Sequence, residues 1–286
     1  YSLFLAAHYS VFGFNLDVVR LTQILLGAIS CVLLMLTAQI LFNRKIGFIS
    51  GILLALYPLD FYQSGLVISE QLFSFLFMLF VFTSVKIFSD VIQGRLVSTL
   101  ILGSVACGVV LGLSALVRPN ALIIPAAMFL FVLFSPKELR KNLLIVTVIV
   151  MIGFLIVVVP WIIRNYILFD KFIPISGIIY HTYAEADGSI QANAIEYILK
   201  KIGRVLEDPL GVLNYAITAP VVIWYQTSAG NMDKYLALLQ FPILITCACG
   251  VIYSIKNCWI RVYPVILIFV FVGGLVVFTK NTLARY

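Results

Sequence analysis

Long apolar runs alternate with short polar breaks through the first 163 residues. Val18–Phe42 ends in Asn43-Arg44-Lys45, Ile46–Tyr57 ends at Pro58, and Ile68–Phe88 leads into Asp90–Arg95. Leu96–Val117 stops at Arg118-Pro119-Asn120, Ala121–Phe134 reaches the basic stretch Pro136–Asn142, and Leu143–Ile163 runs to Arg164-Asn165. Charges sit at the ends of these runs. About 20 residues rising 1.5 Å each cross a hydrocarbon core of about 30 Å, so the pattern predicts transmembrane helices. Lipid offers backbone amides no water, and no ten-residue alternation suggests barrel strands, which leaves helices. Residues 1–13 are apolar but too short to span, and are predicted to form an interfacial helix.

The pattern changes after Asn165. The stretch Asn165–Val212 is polar and is expected to lie outside. Within it, Ile195, Ile198, Leu199, Ile202 and Leu206 recur at helical spacing among Glu196, Lys200, Lys201 and Arg204, as in a helix lying on a membrane surface. Leu210–Tyr225 is apolar but broken by Pro220; it is taken as interfacial or re-entrant rather than spanning. Two final spans are expected near Tyr235–Ile255 and Val262–Phe278. The expected fold is all-α: a polytopic transmembrane helix bundle with interfacial helices and one long outer loop. It forms a single domain over 1–286, divided into 1–163, 164–230 and 231–286.

Composition supports the membrane reading. The chain is 63% hydrophobic with mean hydropathy +1.12 and only 11% charged residues, where soluble domains carry about 25%. Its net charge of +7 is no nucleic-acid signal. In the short loops of the first half, Arg44, Lys45, Lys86, Arg95, Lys137, Arg140 and Lys141 fall on one side, against Arg118 alone on the other. That asymmetry places the basic side in the cytoplasm and the polar motifs outside, in a plasma membrane. Cys31, Cys107, Cys247, Cys249 and Cys258 lie in or beside apolar runs. Cys247-x-Cys249 has no nearby histidine, so the cysteines read as small buried residues, and no metal or cofactor is expected. The Gly47/Gly51 and Gly108/Gly112 pairs read as close helix packing. A start at Tyr1 and an end at Arg285-Tyr286, directly after an apolar run, suggest an internal piece of a longer protein.

Each outer motif has a plain and a chemical reading. Ser69-Glu70 can cap a helix and complement its dipole, or hold a carboxylate at the mouth of a bundle to orient a hydroxyl or a cation. Arg118 can snorkel to lipid headgroups. It sits in a tight Arg-Pro-Asn turn, however, and its planar fork suits a phosphate better than lysine's point charge does. Pro160 is expected to kink or end its helix, with Trp161 at the interface and Arg164 and Asn165 facing the outer loop. Tyr57 and Tyr62 suit sugar stacking as well as an aromatic belt. His181, near Tyr180 and Tyr183, is a possible acid, base or hydrogen-bond donor. Asp60, Glu185 and Asp187 read as solvated loop carboxylates. No Gly-rich phosphate loop, Asp-x-Asp, HExxH or GxSxG occurs, which disfavours nucleotide-driven or zinc chemistry.

The order of these motifs resembles the C-type integral-membrane glycosyltransferases, in the protein-mannosyltransferase-like group that includes the lipid A aminoarabinose transferases. The resembling residues are the Leu3–Gly13 segment with Asn15 and Arg20, then Tyr57-Pro58, Ser69-Glu70 and Gly112-Leu113-Ser114-Ala115-Leu116 with Arg118-Pro119. They continue with Pro160-Trp161, Arg164-Asn165 and Arg285-Tyr286. The resemblance implies transfer of a sugar from a polyprenyl-phosphate donor to a protein, lipid or glycan acceptor on the extracytoplasmic side. Membrane lipids would be partners, and nucleic acid would not. Arg118, Arg164 and Arg285 become candidates for holding the donor phosphate, where fixed cations stabilise charge growing on the leaving group. Glu70 becomes a secondary, orienting group, and Tyr57, Asn120, Asn165, His181 and Tyr286 become substrate-binding candidates. The resemblance also implies a catalytic aspartate in a loop preceding the Leu3–Gly13 segment. Asp17 lies past the expected position, so no base is carried over and the aspartate is expected upstream of Tyr1.

The rival class is a transporter or lipid flippase, or a relative that only binds the lipid carrier. Transporters place ionisable groups near the bilayer midplane and often use inverted repeats. Here the charges lie at the helix mouths, which favours chemistry at the surface.

Overall fold

The computed structural model describes residues 1–58 and 63–169, together with 260, 263, 264, 266 and 267. Candidate residues His181, Arg285 and Tyr286 lie outside the described residues. So do Asp60, Tyr62, Glu185, Asp187, the surface-helix segment, Leu210–Tyr225 and three of the cysteines. The described elements are helices: α1 (Ser2–Phe12), α2 (Leu16–Leu41), α3 (Arg44–Ala55), α4 (Ser69–Ile92) and α5 (Val97–Val117). A 3-10 turn (Pro119–Ile123), α6 (Ile124–Leu133) and α7 (Lys137–Phe169) complete them. Four of these, α2, α4, α5 and α7, are long and apolar enough to cross a membrane. The protein is an all-α, integral membrane bundle.

The chain forms two compact units: Tyr1–Leu122 with Val132–Pro160, and Ile123–Phe131 with Trp161–Tyr286. In the first unit, α2 shows how a membrane helix is sorted. Its buried face carries Val19, Gln23, Gly27, Ser30, Leu33, Thr37, Ala38 and Leu41, spaced three or four apart except for the adjacent Thr37 and Ala38, and mostly small or polar. Its exposed face carries Leu21, Ile24, Leu25, Ile29 and Val32. Large apolar side chains face outward because lipid is as apolar as a core, while small residues let helices approach. The hydroxyls cost little here, because Ser30 donates to the Leu26 carbonyl at 2.8 Å and Thr37 to that of Leu33 at 2.7 Å.

α3 returns antiparallel to α2, since a side chain at Gly47 would meet Gln39 and Met35 and one at Gly51 would meet Met35 and Cys31. Yet α3 has only 12 residues, about 18 Å of rise, too short for the full pass expected of Ile46–Tyr57. Ile68, the residue just before α4, accepts at its carbonyl from Gln23, one third of the way along α2. The pass expected of Ala121–Phe134 is likewise split, into the 3-10 turn and the short α6.

α4 and α5 form an antiparallel hairpin: Cys107 Sγ lies 3.9 Å from the Phe80 carbonyl, and Phe80, Phe88, Cys107 and Leu111 are fully buried. Gly94, at φ 82°, allows the turn. Asp90, expected in a loop, belongs to α4 and pairs with Arg95 at 3.1 Å. α5 and α7 run parallel at very close range. A Cβ on Gly108 would lie 1.9 Å from the Val150 oxygen, one on Gly153 2.2 Å from the Val105 oxygen, and one on Gly112 2.8 Å from Val157. Both glycine pairs therefore serve packing, as expected.

These registers sort the charges within the unit. Glu70, Arg118 and the start of α2 gather at one end. Arg44, Lys45, Arg95 and the start of α7, with Lys137, Arg140 and Lys141, gather at the other. Pro160 does not end its helix; α7 continues nine residues beyond it, through Phe169. The first unit stops at this proline.

Candidate functional site

The local chemistry of Arg118-Pro119 sets the site. Proline forces its predecessor out of the α region, and Arg118 is extended, at φ −140° and ψ 123°. Its N–H still donates to the Ser114 carbonyl at 2.9 Å, which closes α5. Pro119, with no N–H to lose, opens the 3-10 turn that carries Asn120. The Arg118 side chain then crosses to the neighbouring helix, where Nη2 donates to Glu70 Oε1, forming an ion pair between residues 48 positions apart.

Glu70 is presented by the first turn of α4. The residue before that helix is Ile68, with no side-chain cap, so Ser69 does not cap the helix as its sequence position suggested. The Ser69 hydroxyl instead donates to Glu70 Oε2 at 3.3 Å. The carboxylate thus accepts from Ser69 on one oxygen and Arg118 on the other. The two side chains keep 33% (Glu70) and 37% (Arg118) of their surface exposed. An ion pair so open to solvent is worth about 0–1 kcal/mol, well below a sequestered one, and is exchangeable. Arg118 has further guanidinium N–H groups to offer a second oxyanion.

Beneath this pair lies a polar patch that the sequence pattern did not single out. Gln23, on α2, is fully buried; its Nε2 donates to the Ile68 carbonyl at 2.7 Å and to the Tyr1 hydroxyl at 3.3 Å. Gln71, next to Glu70, is 1% exposed and rests on Gly27, where a Cβ would come 2.6 Å from its Nε2. The first turn of α4 therefore faces α5 with Glu70 and α2 with Gln71. Burial raises the Tyr1 phenol above its ordinary pKa; the Gln23 hydrogen bond opposes this, and Tyr9 and Glu70 add to it. Tyr1 stays a neutral hydroxyl at physiological pH. The available signal was Gln23-x3-Gly27 within an apolar run, a long amide beside a gap.

The remaining candidates are placed as follows. Tyr57 is half-buried just past α3, and its N–H donates to the Leu54 carbonyl at 3.0 Å. Asn120 is half-buried in the 3-10 turn. In the second unit, the Arg164 guanidinium stacks 4.8 Å from the Trp161 ring centroid and donates to Asn165 Oδ1 at 3.2 Å. Asn165 is 1% exposed. Asp17 is 84% exposed and pairs with Arg20 at 2.9 Å, as a surface pair at the start of α2. Among the described residues no cluster of histidine, cysteine and carboxylate side chains could hold a metal ion.

The sequence over residues 1–163 matches the family described as dolichyl-phosphate-mannose-protein mannosyltransferase. No curated protein and no solved structure matches the chain.

Proposed function

Because the chain belongs to the dolichyl-phosphate-mannose-protein mannosyltransferase family, which matches more than half its length, we propose that it takes part in glycosyl transfer from a polyprenyl-phosphate donor at the extracytoplasmic face of a membrane. The acceptor would be a protein, lipid or glycan. The observation that carries this reading is the Glu70–Arg118 pair, built by two spanning helices at one end of the bundle.

The proposed chemistry follows from charge. The bond between the sugar's anomeric carbon and the phosphate oxygen breaks, and its electron pair stays on the phosphate. A new bond forms from that carbon to an acceptor oxygen or nitrogen, whose proton passes to a base. The leaving phosphate gains one negative charge, so a cation aimed at it stabilises the transition state more than the ground state. Arg118 is proposed to supply that cation. Glu70 is proposed as the placeholder that orients the guanidinium until a phosphate oxygen competes for it. Arg164 and Arg285 are the further phosphate-binding candidates, and Tyr57, Asn120, Asn165, His181 and Tyr286 the substrate-binding ones. None of the described carboxylates is assigned as the base.

The test uses the full chain in lipid nanodiscs, titrated with dolichyl phosphate. Arg118→Ala is expected to weaken binding by about tenfold to a hundredfold, the scale of one or two charge-assisted hydrogen bonds. Glu70→Gln is expected to tighten it, because the competing carboxylate charge is gone. Binding unaffected by both substitutions would remove this pair from the donor site.

A further inference from the structure

The ion pair leaves the amides beneath it unexplained. Gln23 uses both N–H groups, on Ile68 and Tyr1, but its Oε1 has no hydrogen-bond partner among the described residues. Neither Oε1 nor Nε2 of Gln71 has one among them. Both side chains are at least 99% buried, at 0% and 1% exposure. A buried carboxamide without partners costs free energy that methionine or leucine of similar volume does not incur. Two such groups on one helix interface, α2 against α4, therefore point to a ligand they meet in use.

The open valences define its chemistry. They are two acceptors, Gln23 Oε1 and Gln71 Oε1, and one donor group, Gln71 Nε2. A phosphate, which only accepts, would be repelled by the two amide oxygens. A cation would leave the Gln71 amide nitrogen unused. A hydroxyl both donates and accepts, and adjacent ring hydroxyls offer this mixture at close spacing. The Tyr1 hydroxyl, already held by Gln23, extends the same row.

We propose that Gln23 and Gln71 form a subsite for the hydroxyl groups of the donor's sugar, beside the arginine that takes its phosphate. The inference rests on the donor-site reading of Glu70–Arg118. The backbone supports the geometry: Gln71 follows Glu70 directly, so the first turn of α4 presents Glu70 to Arg118 and Gln71 to α2. The Gln71 amide rests in the space that a Cβ at Gly27 would fill, so its position depends on that glycine.

The experiment compares dolichyl phosphate with glycosyl dolichyl phosphates carrying mannose, glucose or arabinose, bound to the full chain in nanodiscs. The wild type is expected to prefer at least one glycosylated form over the bare phosphate. Gln71→Met is expected to keep bare dolichyl phosphate affinity and to weaken the preferred glycosylated form about tenfold, the scale of one lost hydrogen bond in a dry site. Its thermal midpoint should hold or rise, because an unpaired buried amide has been removed. Gly27→Ala, which keeps the glutamine but displaces its amide, should reduce the same preference and covers the case in which the methionine variant does not fold. An unchanged preference in both variants overturns the subsite and leaves the phosphate site standing. So does a wild type that binds bare and glycosylated forms alike. A wild type that binds none of these lipids overturns both readings.

Discussion

Replacing Gly108 with alanine tests the closest contact in the fold. The added carbon would lie 1.9 Å from the Val150 oxygen, 2.7 Å from the Phe154 nitrogen and 2.9 Å from the Val150 carbon. All three are backbone atoms, so no side chain can swing aside. An ordinary carbon–oxygen contact needs about 3.3 Å, so α5 and α7 must separate by roughly 1.4 Å. Radial gaps of 0.5–1 Å already forfeit about a quarter to a half of each dispersion contact. The expected loss is about 1–3 kcal/mol, the range for an overpacked core, or roughly fivefold to 150-fold in the folding equilibrium. Gly103→Ala on the same helix is the control. There the new carbon meets only Ile87 Cδ1, at 4.0 Å, and alanine's better helix propensity should leave stability unchanged or up to about 1 kcal/mol higher. The assay is thermal unfolding of both variants and the wild type in nanodiscs. Equal midpoints for the two variants would refute the idea that a backbone-tight seam joins α5 to α7.

Two further substitutions probe the ends of the helices. Asn15 Oδ1 accepts from the Asp17 N–H at 3.0 Å and the Val18 N–H at 3.4 Å, so Asn15→Ala should cost about 1 kcal/mol and Asn15→Asp should restore it; a thermal midpoint indifferent to both changes sinks the cap. Arg95→Ala strands the Asp90 carboxylate, which is only 13% exposed, and should cost about 1–3 kcal/mol, most of it recovered by adding Asp90→Asn. Chemical denaturation of the single and double variants checks this, and an additive pair would count against the coupling.

The sequence revealed the fold more readily than the site. Hydropathy marks α2, α4, α5 and α7 because each contains an 18-residue apolar window with at most two charged residues, and lipid makes that condition strict. It overreached at Ile46–Tyr57, where the apolar run continues although the helix stops at Ala55 after 12 residues. Glu70 and Arg118 stand out singly as charges at helix mouths. Their pairing does not, because it depends on the register of a hairpin that separates them by 48 positions. The Ser69 cap failed for a local reason: the helix starts one residue earlier, so the hydroxyl lies inside the first turn and turns to Glu70. Gln23 and Gln71 are not legible in the sequence because a hydropathy average dilutes a single amide and a charge pattern does not register neutral polar groups. The rival transporter reading foresaw ionisable groups in mid-membrane. The amides Gln23 and Gln71 lie instead toward the Glu70–Arg118 end of α2 and α4, and the family match sides with transfer chemistry.

The glycine seam also limits how this protein can move. With Val150, Phe154 and Val105 backbone set against Gly108 and Gly153, α5 has no slack to slide or roll along α7 without a carbonyl striking a neighbour. The two helices behave as one strut up to Val117. Compliance begins where that strut ends, at the extended Arg118 and the short 3-10 turn opened by Pro119. If a phosphate draws the guanidinium away from Glu70, the travel belongs to one side chain and one turn. The seam would then work as a bench vice, holding the frame still while a single joint does the reaching.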